Sequence, residues 1–403
     1  MAMRRLLARD RPVAILWAGQ AISQPGDTLT FVALPLLALR TAGGDLRVYA
    51  LVLAVAMLPN ILFGWAAGAL VDWADRRRLM AGVEIGRCLS VAAMSAVPGL
   101  GPLLGLVFLN AAFALVFRPA LTAAVPTLVR AQDVTPVQAL MEGTARFLDI
   151  FGFLAAGAIV LAFGVPAALR VDALTFVVSA ATLLRLPLSL PRPPHRQRFG
   201  GEVRAGFAYH RGNPLVRDAL AFLVALTLGI GVYNALIVPA MGRLLGQPLA
   251  FYGYWMAVQS AGATLGAYLV AARPAWLPRR TLMLGSILVL GGLTVVIGAN
   301  RSAAAGLGLA CLFGLLNVGY NVTIVTWLQE SVPGGMLGRV FALRQMGGGL
   351  FVALGTLAAG AWAPVLGVGP LISLTGLYFA LVAVAGLAMP GLRSAAATAG
   401  AAG

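Results

Sequence analysis

Asp27 stands in an apolar stretch of the chain, preceded by Gln20, Gln24, Pro25 and Gly26. A carboxyl group there can bind a proton or a cation. It lies roughly fifteen residues into its stretch, so at about 1.5 Å per helical residue it is far from the end where the stretch begins. Pro25 and Gly26 are expected to break the helix and free backbone groups beside it. Asp27 is then either a proton- or cation-exchanging group or the cap of a broken helix. Glu142, Arg146 and Asp149 form a second constellation. At about 100° per residue they fall on one helix face within about 60°, and both spacings, i to i+4 and i to i+3, allow ion pairs. The triad is either self-compensated or a switchable network in which Asp149 exchanges a proton. Glu84 and Arg87, three apart, are expected to pair structurally. Arg118, beside Pro119, can pair with Asp27 or Asp149 or attract an anion. Glu330 and Arg344 are expected to act as gate partners at the ends of their stretches. Gln20, Gln24, Asn234, Asn317, Tyr320, Asn321 and Trp327 are polar or amphipathic groups that can line a cavity, bridge helices or anchor at an interface.

The elements that hold these residues are apolar runs of about 20 residues, each long enough to cross a ~30 Å hydrocarbon core. The chain has 403 residues, of which 60% are hydrophobic and 10% charged. Its mean hydropathy is +0.90, and a water-soluble surface needs more charge than that. Within lipid the backbone must satisfy its own hydrogen bonds, which leaves helices or a closed barrel. The runs lack the two-residue alternation of barrel strands. The expected fold is therefore an all-α integral membrane protein with twelve transmembrane helices in two six-helix bundles. The spans are expected at 12–39, 48–71, 79–98, 102–125, 136–162 and 166–188, then at 214–241, 250–272, 280–299, 303–328, 337–366 and 368–389. Residues 1–190 form the first bundle, 191–213 an Arg-rich linker, 214–393 the second bundle, and 394–403 a disordered Ala/Gly tail. An isolated charge at mid-bilayer costs about 2.5–3.5 kcal/mol on insertion scales, so one found there is expected to have a partner or a function.

All 29 basic residues are Arg, and the formal charge is +16. The arginines collect on one side of the expected spans. Arg4, Arg5, Arg9, Arg11, Arg76–Arg78, Arg130, Arg185, the linker, Arg273, Arg279, Arg280, Arg339 and Arg393 share one side. Arg40, Arg47, Arg243 and Arg301 lie on the other. By the positive-inside rule both termini are cytoplasmic, and the basic charge needs no nucleic acid to explain it. Leu154–Ala158 recurs as Leu357–Ala361, and the end of the fourth span resembles that of the tenth. With six spans on each side of the linker, these matches suggest two parallel half-repeats.

Residues 68–78 read Gly-Ala-Leu-Val-Asp-Trp-Ala-Asp-Arg-Arg-Arg. The spacing of Gly68, Leu70, Asp72, Arg76 and Arg77 resembles the signature between helices two and three of major facilitator transporters, with Asp75 where the pattern has a second Gly. That substitution, Trp17-Ala18-Gly19-Gln20, Ser23–Asp27 and Phe117-Arg118-Pro119-Ala120 resemble the macrolide-efflux and siderophore-exporter-like branch. The resemblance implies a latch in which Asp72 meets the start of the eleventh helix, near Gly338 and Arg339. Gly68 would permit close helix packing there. Antiporters of the superfamily carry a Gly-Pro motif in helix five; at 152–157 the small residues are present and the Pro is missing.

There is no phosphate-binding loop, no His within a span and no Ser/His/Asp or metal-ligand set. Cys88 and Cys311 suggest neither a disulfide framework nor a metal site. No enzyme activity, catalytic residue, cofactor or metal is expected. The resemblance implies a monomeric secondary transporter of the bacterial inner membrane, exporting a small amphipathic drug, antibiotic or siderophore-like metabolite by proton antiport. An importer of the same fold and a transport-inactive sensor or assembly partner are the alternatives.

Overall fold

The computed structural model describes residues 10–64, 70–71, 74–186, 209–272 and 278–393. The linker residues 191–208, the arginine of 273–277, the tail 394–403, Gly68 and Asp72 lie outside them. Among the described residues there are helices and turns but no strand. The helices are α1 (Arg11–Thr41), α2 (Leu46–Val55), α3 (Leu58–Phe63), α4 (Arg76–Met94), α5 (Leu100–Leu128), α6 (Val134–Phe163) and α7 (Val165–Leu184). After the linker come α8 (Pro214–Arg243), α9 (Phe251–Ala271), α10 (Arg279–Ala299), α11 (Ala303–Ser331), α12 (Gly334–Leu366) and α13 (Val368–Ala388).

Nine candidate spans among the described residues are long and apolar enough to cross a membrane. Three further long helices, Arg11–Thr41, Arg76–Met94 and Phe251–Ala271, are more polar. Two of these, α1 and α4, carry Asp27, Glu84 and Arg87. Large apolar side chains stand on the outer faces, with Phe163 76% and Leu381 65% exposed. A surface of that kind suits lipid, not water.

Local chemistry sets the boundaries. The expected second span is interrupted between α2 and α3. Pro59 has no N–H to give to the Val55 carbonyl, and α2 ends there. α4 begins earlier than expected because Asp75 caps it, its carboxylate accepting from the Arg77 and Arg78 amides at 3.0 and 3.2 Å. The departure from the signature at Asp75 thus has a structural use. Asn213 and Ser302 cap α8 and α11 in the same way. Gly164 and Gly367, with φ of 81° and 87°, let α6 turn into α7 and α12 into α13 through a single residue.

Contacts divide the chain into two compact units. One holds Met1–Asp45, Val55–His195 and Ala250–Ala257; the other holds Leu46–Ala54, Arg196–Leu249 and Val258–Gly403. In the first, α1 packs on α6 and α7, and α4 on α5 and α7. In the second, α8 packs on α12 and α13, and α10 on α11 and α13. These are the same pairings one repeat later. The shift that carries Leu154–Ala158 onto Leu357–Ala361 also carries Leu100–Leu128 onto Ala303–Ser331 and Gly164 onto Gly367.

The repeated Leu-Ala-Ala-Gly-Ala string has a packing reason in each unit. Gly157 meets the backbone of Gly253, and a Cβ built on Gly253 would stand 2.7 Å from the Phe153 carbonyl. Gly360 meets Ala50 and the Leu46 carbonyl in the other unit. Small residues let these backbones approach, as between membrane helices in general.

Candidate transport site

A cavity of about 360 Å³ opens within the first unit. α1 supplies Trp17, Gln20, Gln24 and Asp27; α4 supplies Arg87. α5 contributes Phe117, Arg118, Leu121 and Thr122, and α6 contributes Gln138, Met141, Glu142 and Thr144. The lining therefore alternates aromatic and aliphatic surface with amides, hydroxyls and charges.

α1 runs unbroken through Pro25 and Gly26, contrary to the expected break. Neighbouring helices support the Pro turn. Thr28 Oγ1 donates to the Pro25 carbonyl at 2.6 Å, and a Cβ on Gly152 of α6 would stand 3.1 Å from Pro25 Cα. Gly26 faces α7, where a Cβ would stand 2.5 Å from Asp172 Oδ1. Close packing of this kind against α6 and α7 goes with a helix that continues past Pro and Gly. Asp27 is consequently not a helix cap.

Asp27 pairs with Arg87. Arg87 lies over the Phe176 ring, 4.2 Å from its centroid, which adds a cation–π contact. The expected Glu84–Arg87 pair is replaced: Glu84 Oε1 accepts from Ser179 Oγ at 2.9 Å. An acid from another helix competes better here than the one a turn away. Asp172 of α7 completes the group. It is fully buried and accepts from Thr30 and from Thr175. Asp172 was not singled out from the sequence, although a carboxylate inside an apolar run is the same signal that pointed to Asp27.

The α6 triad contains both expected pairs. Arg146 reaches Glu142 at 2.7 Å and Asp149 at 3.7 Å. Glu142 and Arg146 are more than half exposed, while the Asp149 side chain is 17% exposed. Gln24 Nε2 donates to Asp149 Oδ1 at 2.7 Å and ties the triad to the cavity face of α1. Trp17 Nε1 donates to Thr144 Oγ1 at 3.0 Å alongside.

Arg118 pairs with neither Asp27 nor Asp149. Those acids are taken by Arg87 and by Gln24 with Arg146, so Arg118 faces the cavity and acts on Asp149 only at longer range. Glu330 pairs with Arg279, and Arg344 lies 3.4 Å from Asn321 Oδ1 and over the Phe341 ring. Glu330 and Arg344 are thus not each other's partners, since an arginine nearer in space takes the carboxylate. Tyr320 and Trp327 are buried, Asn317 and Asn321 half-buried and Asn234 exposed. Of the residues expected to form the latch, Arg76 donates to the Ala123 carbonyl at 3.0 Å, Arg77 to the Leu184 carbonyl, and Arg339 lies 3.2 Å from Met336 Sδ.

The family model of the Major Facilitator Superfamily matches residues 16–356. The chain belongs to that superfamily. It is 28% identical over 384 residues to the uncharacterized MFS-type transporter YfiS of Bacillus subtilis (strain 168), a match spanning 90% of this chain and 89% of the relative. It is 24% identical over 383 residues to macrolide efflux protein A of Streptococcus pyogenes, spanning 92% and 93%. The enterobactin exporter EntS of Escherichia coli O9:H4 (strain HS) is 27% identical over 300 residues, spanning 72% and 69%. Among solved structures, a variant of the nucleoside transporter NupG superposes with a TM-score of 0.81 at 13% identity, covering 94% of this chain and 100% of that one. An inward-facing bacterial homologue of the iron transporter ferroportin gives 0.74 at 15% identity, covering 94% and 98%. At these identities the structural likenesses establish the fold alone. This member of the superfamily is a multi-pass membrane transporter with an all-helical fold of two pseudo-symmetric halves.

Proposed function

We propose that this protein exports a small amphipathic compound across the bacterial inner membrane in exchange for protons, by alternating access. The observation that carries this reading is the cavity of the first unit. Trp17, Phe117, Leu121 and Met141 offer apolar surface, while Asp27, Arg87, Arg118 and Gln138 offer charge and hydrogen bonds. A solute with an apolar body and a polar end fits such a lining. A drug, an antibiotic and a siderophore-like metabolite all meet that description. The relatives named as exporters of macrolides and enterobactin support the outward direction.

Asp27 and Asp149 are the proposed sites of proton exchange, with Glu142 and Arg146 as the paired neighbours of Asp149. Arg118 is the proposed contact for an acceptor or anionic group of the solute. Gln20 and Gln24 line the cavity from α1, and Asn234, Asn317, Tyr320, Asn321 and Trp327 are proposed as solute-facing groups within the second unit. Asp72 is proposed to latch on Gly338 and Arg339, with Gly68, Arg76 and Arg77 around it. Twelve spans, six in 1–190 and six in 214–393, are proposed from the apolar runs, and both termini and the Arg-rich 191–213 are proposed to lie in the cytoplasm on the arginine asymmetry. The protein is proposed to work as a monomer.

Everted vesicles containing the protein test the reading. Adding a transported solute from a broad drug and metabolite panel is expected to release protons from the vesicle interior. Absence of solute-dependent proton movement across the whole panel would remove proton antiport.

A further inference from the structure

Three carboxyl groups surround one guanidinium in the first unit. Asp27 pairs with Arg87 and faces the cavity. Glu84, one turn before Arg87 on α4, and Asp172 on α7 also act electrostatically on that guanidinium. Both are fully buried, and neither lines the cavity. Glu84 Oε2 and Arg87 Nε have no hydrogen-bond partner among the described residues. With every group ionised, the site would hold two negative charges that no cation offsets. Low-dielectric surroundings do not support such charges. A carboxylate can shed its charge by binding a proton, whereas a guanidinium keeps its own.

The second half serves as an internal comparison. The shift that carries Leu154–Ala158 onto Leu357–Ala361 carries Asp27, Glu84, Arg87 and Asp172 onto Ile230, Ile287, Leu290 and Thr375. Ile287 and Leu290 are fully buried and Thr375 nearly so. The same helix pairings are therefore built there without a charge. The fold does not require charges at these positions, so the first half keeps its four for another use.

We propose that Glu84 and Asp172 form a proton-binding pair that Arg87 gates from Asp27. A proton, or a cationic group of the solute, arriving at Asp27 weakens its hold on Arg87. The guanidinium then turns to Glu84 and Asp172, which release one proton in return. Each turn of the switch takes up one positive charge at Asp27 and gives up one from the buried pair. The groups that bear on the switch are Asp27 on α1, Glu84, Arg87 and Cys88 on α4, Asp172 on α7, Arg118 on α5, and Asp149 with Arg146 and Glu142 on α6. The inference rests on the antiport reading for its use in transport, but proton binding by the pair is testable without it.

The test is a pH titration of the carboxyl infrared absorption of the purified full-length protein. The proteins compared are the unaltered chain, Glu84→Gln, Asp172→Asn, and a fourfold variant carrying Asp27→Ile, Glu84→Ile, Arg87→Leu and Asp172→Thr. The unaltered chain is expected to show a titrating carboxyl component that each single variant diminishes and shifts. The fourfold variant is expected to fold, as its second-half counterpart does, and to lack the component. A titration that neither isosteric single variant alters would overturn the proposal, as would a fourfold variant that cannot fold. If the vesicle test shows no proton antiport while the infrared component behaves as expected, the antiport reading falls and the proton site stands.

Discussion

Arg280 donates to the main-chain carbonyl of Leu387 at 2.7 Å, and Arg77 makes the same bond to Leu184 one repeat earlier. In both units an arginine at the start of one helix closes the carbonyl end of the helix packed against it, α10 onto α13 and α4 onto α7. The last carbonyls of a helix lack intrahelical donors and carry partial negative charge, so a guanidinium suits the place. Repetition of the contact in both halves shows that the basic clusters at these helix starts do more than mark one side of a membrane.

Both arginines are half-buried and both bonds lie at exposed positions, so each bond is expected to contribute about 1 kcal/mol or less. Arg77→Ala and Arg280→Ala should each lower the apparent Tm of the purified protein by about 1–3 °C, with additive effects in the double variant. A large loss in one half alone would show that the two contacts are not equivalent.

Asp27→Asn is expected to abolish uphill transport, because it removes the charge that holds Arg87 at the cavity. Asp149→Asn keeps the Gln24 hydrogen bond but removes the charge, and should lower uphill flux by about tenfold or more while flattening its pH dependence. Glu142→Gln should change little, since exposed i to i+4 pairs contribute only about 0.3–0.5 kcal/mol. The measurement is solute flux in proteoliposomes across an imposed pH gradient. Unaltered flux and pH profile in both aspartate variants would remove these residues from the coupling site.

Most of the fold was legible in the sequence because a bilayer admits few designs. Apolar length gave the helices from 100 to 388 to within about four residues at each end, and the signature at 68–78 pointed to the superfamily. Two features were hidden for physical reasons. The interruption after Val55 depends on one missing amide at Pro59, and the continuity of α1 at Pro25 goes with close packing on Gly152 of another helix. The site was legible residue by residue but not as a network. Spacing along one helix proposed Glu84 with Arg87, whereas the fold brings Asp27 to Arg87 and Ser179 to Glu84 across helices. Within α6, where partners share one helix, spacing was sufficient for both pairs.

His210 lies in the segment before α8, outside the expected spans. Partial burial, with Arg217 and Arg211 adding to it, lowers its pKa from the ordinary value of 6.5. A histidine whose pKa falls on folding binds fewer protons in the native state, so acidification through the window just below 6.5 favours local opening. Above that value the group is neutral in both states and contributes no pH dependence. The hydrogen-exchange protection of 209–217, corrected for the intrinsic rate at each pH, is expected to fall as pH drops through this window, and His210→Gln should remove the change. An identical pH response in that variant would show that another group is responsible.

Gly253 and Gly157 bring α9 and α6 together at backbone distance. A Cβ on Gly253 would meet the Phe153 carbonyl at 2.7 Å, and a backbone atom cannot rotate away as a side chain can. Gly253→Val should therefore force the two helices apart, at a cost of about 1–3 kcal/mol, and lower the apparent Tm accordingly. Gly143, earlier on α6, has open space where a Cβ would stand, with nothing within 4 Å. Gly143→Ala should hold or slightly raise the Tm, because alanine is favoured over glycine in a helix by up to about 1 kcal/mol. Equal losses in the two variants would mean that helix propensity, not the close approach at Gly253, governs stability along this contact.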